Sequence, residues 1–280
     1  MISIFDFNYI NNFEYISGIN LFIYSLALLS IGSFTSTTIF RLSNNISYRD
    51  ILLTRSMCRN CNQKIKNVHL IPIIGFLIQR GKCSACKKDI SLFYPVTEIL
   101  FLIYGLIVTF VYGFGTFNFF LLLIFYIFYI LFFLDLKYFY LPVFFNVLLI
   151  ICGFIGNSLF NIFVTDITKL FNLSSFMFSF YGLLIGYLSL WLINFIFKLI
   201  YKKDGIGGGD FILFGAIGSL FGPFSLGLIL FFGAIFGCFI FILFKKNYQN
   251  KIPLGSCLIV GSIFYFLVKN FELLDNLLVI

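Results

Sequence analysis

The chain of 280 residues is 61% hydrophobic and only 11% charged, with a formal net charge of +8. Soluble proteins carry about a quarter charged residues, so this composition excludes a soluble domain, a disordered segment, a collagen, a coiled coil and a secreted disulfide scaffold. It predicts an all-α polytopic membrane protein, and the length is sufficient for about eight transmembrane helices with short loops.

Eight apolar runs, separated by turn residues and charges, divide the chain. We predict one transmembrane helix in each of the segments 19–40, 94–112, 117–134, 141–156, 176–197, 206–221, 225–244 and 252–268. The sixth segment is short for a span of about 20 residues. A polar stretch over residues 41–91 follows the first run. The first basic residue is Arg41, so we expect no signal peptide.

The positions of the 19 basic residues predict the orientation of these helices. With the N-terminus outside, all of them except Lys169 and Lys269 fall in cytoplasmic segments, as the positive-inside rule requires. Joining the sixth and seventh runs would place Lys245, Lys246 and Lys251 outside, so we keep these runs separate. We therefore attribute the positive charge to topology and to contacts with membrane lipid, and we expect no nucleic-acid partner.

Two Cys-X-X-Cys pairs lie in the polar cytoplasmic stretch, and their members are Cys58, Cys61, Cys83 and Cys86. Such pairs are typical of a tetrahedral zinc site, in which each pair directs two thiolates at the ion. The alternative is two disulfides or a redox pair, which the reducing cytosol disfavours. The zinc ion would be structural and would fold a loop that is too small for a core of its own.

The remaining metal-ligand residue types in these segments have simpler interpretations. His69 lies between the two cysteine pairs, and because four cysteines already complete a tetrahedral shell, we expect a surface or packing role for it. Cys152, Cys238 and Cys257 lie in apolar runs, where cysteine packs as a small hydrophobic residue.

Two aspartates occupy positions at which an ionisable side chain in a membrane is costly. Asp135 ends the third apolar run, and Asp210 begins the sixth, so the predicted topology places both at the cytoplasmic ends of their helices. Two facing carboxylates share a proton, so one can activate a water while the other protonates a peptide oxygen. We predict a catalytic pair. The alternative is that each aspartate marks a helix end and is satisfied by water or a lysine.

A run of glycines and a third acid accompany this pair. Gly207, Gly208 and Gly209 have no side chain, so a substrate backbone can approach and the chain can adopt positive φ before the helix begins. Glu98 lies near the cytoplasmic start of the second apolar run. It is either an interfacial residue, solvated or salt-bridged, or a contact to a polar substrate or cofactor beside the zinc loop.

Short motifs around these residues occur in a fixed order. They are Gly32-Ser-Phe34, the two cysteine pairs, Tyr94-Pro95 with Glu98, Asp135 with Leu141-Pro142, Gly207-Gly-Gly-Asp210 and Ile252-Pro-Leu-Gly255. In this order the chain resembles the type IV prepilin peptidases, a family of GxGD membrane aspartic proteases. Three positions depart from the family pattern: Val143 replaces Asp or Asn, Ile212 replaces Lys, and Ser256 replaces Pro.

The resemblance implies cleavage of the short basic leader of a type IV prepilin or pseudopilin at the cytoplasmic face of the bacterial inner membrane, with Asp135 and Asp210 as the catalytic pair. It also implies N-methylation of the new N-terminus with S-adenosylmethionine, because the cysteine-bearing loop distinguishes the bifunctional members. No glycine-rich nucleotide loop is readable in the cytoplasmic segment, so no residue is assigned to the methyl donor.

The same resemblance implies a division of the chain into three parts. Residues 1–40 form an outer N-terminal segment and the first helix, residues 41–93 the cytoplasmic zinc-binding loop, and residues 94–280 the transmembrane peptidase core. Three other functions stay open: a GxGD protease acting on other membrane substrates, a peptidase without methyltransferase activity, and a transporter that uses the acid pair as an ion relay. A transporter is expected to show internal repeats or broken helices in matching halves, and the sequence shows neither.

Overall fold

The computed structural model describes residues 18–44, 46–160, 173–244 and 252–270, and α-helices are the dominant element of these residues. The helices are α1 (Gly18–Ser43), α2 (Tyr48–Leu53), α3 (Ile74–Ile78), α4 (Phe93–Tyr112), α5 (Thr116–Tyr138), α6 (Val143–Phe160), α7 (Ser175–Tyr201), α8 (Gly208–Phe221), α9 (Leu226–Phe244) and α10 (Leu254–Asn270). Two 3₁₀ turns, Asn67–Leu70 and Pro223–Ser225, complete the helical elements. The predicted all-α fold is confirmed.

The apolar helices correspond to the predicted runs in order. Within the described ranges, six helices are long and apolar enough to cross a membrane, whereas α8 and α10 are shorter. The prediction of a polytopic membrane protein is therefore confirmed, and the count of eight transmembrane helices stays a prediction. The segments that carry Lys169 and the cluster of Lys245, Lys246 and Lys251 lie outside the described residues.

The chain forms two compact units, which meet in sequence between Leu122 and Leu123 within α5. The first contains α1 to α4, the cysteine-bearing loop and the start of α5. The second contains the rest of α5 and the helices that follow it. The predicted functional division at residues 40 and 93 stays a prediction.

Helices α1 and α4 pack closely in the first unit because a glycine lies at their contact. A Cβ atom on Gly32 would lie 2.7 Å from the Cα of Glu98, a separation that no side chain tolerates. At the opposite ends of these helices, the Tyr24 hydroxyl donates to Asn118 Oδ1 over 3.0 Å, and Asn118 Nδ2 donates to Thr109 Oγ1 over 2.7 Å. These buried hydrogen bonds join α1, α4 and the start of α5 without exposing polar groups to lipid.

Helix α8 lies at the centre of the second unit, and Leu213, Phe214 and Ile217 are fully buried. Its contact with α7 is made by backbone atoms. A Cβ on Gly182 of α7 would lie only 1.9 Å from the carbonyl oxygen of Gly218 of α8, and the reciprocal distance is 2.1 Å. Small residues that let helix backbones approach are characteristic of helix packing in membranes.

A buried asparagine fixes α6 against the same pair of helices. Asn157 Nδ2 donates to Ser179 Oγ of α7 and to the carbonyl oxygens of Ser219 and Leu220 of α8, each over 3.0 Å. Because no water is available in the apolar interior, these bonds define how the three helices meet. The position of α8 matters for the candidate site because its first turn carries Asp210.

Candidate active site and metal centre

Asp135 lies in the last turn of α5 and is only 4% exposed. Its Oδ2 accepts a 2.6 Å hydrogen bond from the backbone N–H of Ser256 and a 2.9 Å hydrogen bond from the Ser256 hydroxyl. The hydroxyl also lies 3.0 Å from the carbonyl oxygen of Phe132, one turn before Asp135. The first turn of α10 therefore holds this carboxylate.

Asp210 is the third residue of α8 and is partly buried. Its Oδ1 is buried and has no hydrogen-bond partner among the described residues, whereas Oδ2 lies beside the backbone of Gly207. Leu141 links the two acidic segments: it lies against Gly209, next to Asp210, and against Gly255, where an added Cβ would lie 3.1 Å from Asp135 Oδ2. The structure thus brings together two acids that are 75 positions apart in the numbering of the chain.

The glycines before Asp210 differ in their surroundings. A Cβ on Gly209 would lie 2.9 Å from the Cβ of Leu141, so this position requires glycine for packing, whereas Gly208 has open space around it. Gly207 has an extended backbone, with φ −72° and ψ 146°. The expectation of positive φ in this run is therefore wrong at Gly207, because the helix begins directly from extended chain. Room for an approaching backbone is present at Gly208.

The turn that leads into this glycine run is held by Asn194 of α7, a residue that was not predicted from the sequence. Asn194 Oδ1 accepts hydrogen bonds from the N–H groups of Gly205 and Ile206, over 2.8 and 3.0 Å. Its Nδ2 donates to Asp204, which also forms a 3.1 Å ion pair with Lys198. The hydrogen bonds from Lys198 and Asn194 lower the pKa of Asp204. A polar residue inside an apolar run was the signal that could have identified Asn194.

The four cysteines of the loop come together in the first unit. Their sulfur atoms all lie within 4.8 Å of one another, and Cys58 Sγ is 3.8 Å from Cys86 Sγ. A tetrahedral ion with metal–sulfur bonds of about 2.3 Å would separate its ligands by about 3.8 Å. The cluster therefore fits a metal ion, and His69 lies outside it.

The two cysteine pairs fold into equivalent turns. The N–H of Asn62 donates to the carbonyl of Cys58, and the N–H of Lys87 donates to the carbonyl of Cys83, over 2.9 and 3.0 Å. Asn62 and Lys87 both have positive φ, of 54° and 59°. This repeated geometry directs the backbone N–H groups of each turn at sulfur, as thiolate ligands require.

These N–H groups already favour thiolates at two of the cysteines. Hydrogen bonds from the backbone N–H groups of Cys61 and Asn60 lower the pKa of Cys58 to about 6, and the N–H of Lys88 lowers that of Cys86. The N–H of Gln63 lowers the pKa of Cys61, but desolvation and the neighbouring cysteines together raise it by more, so that the pKa of Cys61 is about 11. A bound cation would favour the thiolate form of all four cysteines and displace the protons that remain on their sulfur atoms.

Arg59, inside the first cysteine pair, joins the loop to the helices of its unit. Its guanidinium lies 3.6 Å from the ring centroid of Phe40 in α1 and 4.9 Å from that of Tyr94 in α4. Such cation–π contacts are favourable at the boundary between water and apolar surface. The four-cysteine cluster is thereby fixed next to the ends of α1 and α4.

Glu98 makes a second connection between the loop and α4. It is only 5% exposed, and its Oε2 accepts a 2.7 Å hydrogen bond from the N–H of Ile73. Ile73 has a positive φ of 59°, a strained conformation for a β-branched residue. The alternative in which Glu98 is a solvated interfacial residue is therefore wrong, because burial and this bond place its carboxyl group in the interior. A contact to substrate or cofactor stays a prediction.

The cysteines in the apolar helices divide into two groups. Cys152 of α6 and Cys257 of α10 are buried, in agreement with a packing role. Cys238 of α9 is exposed, so the expected packing role is wrong for this residue. His69 is half-buried beside Gly75, consistent with the surface or packing role expected for it.

Comparisons with known proteins identify the family of the chain. The family models for the bacterial peptidase A24 N-terminal domain and for the type IV leader peptidase family match residues 26–112 and 120–243, respectively. Three similar proteins are each named prepilin leader peptidase/N-methyltransferase. The one from Dichelobacter nodosus is 33% identical over 78% of this chain and 72% of its own length. The one from Vibrio cholerae is 31% identical over 88% and 96%.

The third of these proteins, from Aeromonas hydrophila, is 32% identical over 76% of this chain and 71% of its own length. No solved structure gave a significant match. The two family models cover the cysteine-bearing loop and both candidate catalytic aspartates. The chain belongs to the type IV leader peptidase family.

Proposed function

We propose that the protein is a prepilin leader peptidase that removes the short basic leader of a type IV prepilin or pseudopilin. The observation that carries this proposal is the meeting of Asp135 and Asp210 beside unobstructed glycine backbone at Gly208, in a chain of this family. Two carboxylates that share one proton are the machinery of aspartic proteases.

The acid pair would hydrolyse a peptide bond without a covalent intermediate. One carboxylate takes a proton from a water as the water oxygen bonds to the carbonyl carbon, and the protonated partner gives its proton to the carbonyl oxygen. The tetrahedral intermediate is then neutral. As its C–N bond breaks, the first carboxyl returns its proton to the amine nitrogen, and the partner recovers a proton from the intermediate's hydroxyl.

The location that fits this reaction is the cytoplasmic face of the bacterial inner membrane, with the N-terminus outside and the cysteine-bearing loop in the cytoplasm. The distribution of basic residues supports this orientation, because it follows the positive-inside rule. A prepilin would keep its hydrophobic helix in the lipid while its basic leader stays in the cytoplasm. The peptide bond between leader and helix would then lie at the depth of the aspartates.

The same protein would N-methylate the new N-terminus, with S-adenosylmethionine as the methyl donor. The names of the three related proteins support this second activity. The cysteine-bearing loop supports it as well, since the resemblance associates this loop with the bifunctional members. No residue of the chain is assigned to the methyl donor.

Incubation of the purified full-length chain with a prepilin in detergent tests both activities. We expect mass spectrometry to find the leader released and, after addition of S-adenosylmethionine, a mature chain heavier by one methyl group. Cleavage without methylation would identify a peptidase that lacks the second activity. An intact prepilin, with a related peptidase cleaving it in the same mixture, would contradict the proposed function.

The metal of the four-cysteine cluster is proposed to be zinc with a structural role. Four thiolates at this spacing suit zinc, and the four cysteines leave no open position for a substrate. The ion would hold together the loop between α2 and α4, which contains only short helical elements.

Replacing Cys58 and Cys83 together with serine is expected to abolish zinc binding, because each pair then retains a single thiolate. Elemental analysis of the purified protein should give about one zinc per parent chain and none per double variant. The Cys238→Ser variant is the matched control, since this cysteine is exposed and lies in α9. Zinc retained by the double variant would exclude the site.

A further inference from the structure

The first turn of α10 contacts the carboxylate of Asp135 in α5. Ser256 is the third residue of this helix and is completely buried. N–H groups in the first turn of a helix have no partner inside the helix. The N–H of Ser256 finds its partner in Asp135 Oδ2 over 2.6 Å, slightly shorter than the ~2.7–2.9 Å of charge-assisted N–H···O hydrogen bonds.

The side chain of Ser256 reinforces this bond on the same oxygen. Its hydroxyl oxygen lies 2.9 Å from Asp135 Oδ2 and 3.0 Å from the Phe132 carbonyl oxygen, so the hydroxyl can donate to either acceptor. Both donors of one residue therefore converge on Oδ2. The positive end of the helix dipole also favours negative charge at this place. The carboxyl group cannot rotate without breaking both bonds, which leaves Oδ1 as the oxygen available for reaction.

The neighbouring residue makes this approach possible. A Cβ on Gly255 would lie 3.1 Å from Asp135 Oδ2 and 2.8 Å from Leu141 Cδ1, so a larger residue would push the helix away from the carboxylate. Leu141 in turn lies against Gly209, next to Asp210. The start of α10 thus contacts Asp135 directly and approaches the segment of Asp210 through Leu141.

We propose that Ser256 is a positioning residue of the active site, which clamps Asp135 Oδ2 and presents Oδ1 to the reacting water and peptide. This inference rests on the proposed function for its catalytic consequence, but the clamp itself is a physical contact that is measurable without any reaction. The second acceptor of the hydroxyl, the carbonyl oxygen of Phe132, belongs to the same turn of α5 as Asp135. Both hydrogen bonds of the hydroxyl therefore act at the place where α10 meets Asp135.

The kinetic test compares parent, Ser256→Ala and Ser256→Thr on a prepilin. Loss of the hydroxyl should lower kcat roughly ten- to a hundredfold, the value of a hydrogen bond to a charged group, and leave KM nearly unchanged. The threonine variant keeps the hydroxyl and should recover most of the rate. A Ser256→Ala variant with parental kcat, or one that changes only KM, would overturn the proposal.

Ser262→Ala is the matched control. Ser262 is also fully buried in α10, but its hydroxyl donates to the carbonyl of Ile259 in its own helix. Its loss should leave kcat unchanged. An equal fall of kcat in both serine variants would reduce the role of Ser256 to helix packing and overturn the proposal.

A double-mutant cycle on unfolding separates the clamp from the proposed function. Ser256→Ala should lower the midpoint of thermal unfolding in detergent for the parent chain, and by clearly less in an Asp135→Ala background, because the partner of the hydroxyl is then absent. Equal shifts in both backgrounds would exclude the contact. Coupling without any cleavage of prepilin by the parent would retain the contact and reject the peptidase function.

Discussion

Cleavage of a prepilin is expected to fall by about a thousandfold or more when either Asp135 or Asp210 is replaced with asparagine. Asparagine keeps the size and polarity of the side chain, but it neither accepts the proton of the attacking water nor supplies one to the carbonyl oxygen. Because the two acids act as one unit, the double variant should be no slower than either single variant. Initial rates of leader release, followed by mass spectrometry, measure these differences.

Asp50→Asn is the matched control for this experiment. Asp50 lies on α2, and its side chain is exposed. Its replacement removes the same charge without touching the acid pair, so the rate should equal that of the parent. Rapid cleavage by either the Asp135 or the Asp210 variant would show that the pair is not catalytic.

Replacing Gly182 with alanine is expected to lower the thermal stability of the protein strongly. The added methyl group would lie 1.9 Å from the carbonyl oxygen of Gly218, so α7 and α8 must separate. Overpacking at a closely packed contact costs about 1–3 kcal/mol, and occasionally more. Since α8 carries Asp210 in its first turn, the variant should also cleave prepilin slowly. Thermal unfolding in detergent and the cleavage assay measure the two effects.

The same substitution at Gly227 provides the comparison. This glycine also lies in a helix, near the start of α9, but a Cβ there would meet nothing within 4 Å. Alanine favours a helix over glycine by up to about 1 kcal/mol, so this variant should be as stable as the parent or slightly more stable. If Gly182→Ala unfolds at the same temperature as Gly227→Ala, the backbone contact between α7 and α8 is not present in the protein.

Hydropathy was sufficient to predict the helical fold because each helix in a membrane must satisfy its own backbone and expose apolar side chains. The order and approximate bounds of the apolar helices followed from this rule. The meeting of the four cysteines was predictable for a similar local reason. The residues within each pair are close in sequence, and the chemistry of a metal ion brings the two pairs together.

Contacts that depend on the rotation of one helix against another could not be predicted. Ser256 and Asp135 come from different apolar helices, and hydropathy does not reveal which faces of those helices meet. The burial of Glu98 is a similar case, because it depends on where the loop residue Ile73 lies. The backbone contact of Gly182 with Gly218 was hidden for the same reason, since each is one of many glycines in apolar segments.

The hydrogen bonds from Ser256 to Asp135 also have a consequence for biosynthesis. A ribosome delivers α5, α8 and α10 to the membrane in that order, so Asp135 lacks the partner of its Oδ2 until residue 256 has been translated and α10 has inserted. A nascent chain therefore carries both aspartates while its site is still unfinished. On the proposed function, proteolytic competence would therefore arise only after α5, α8 and α10 of the second unit have assembled.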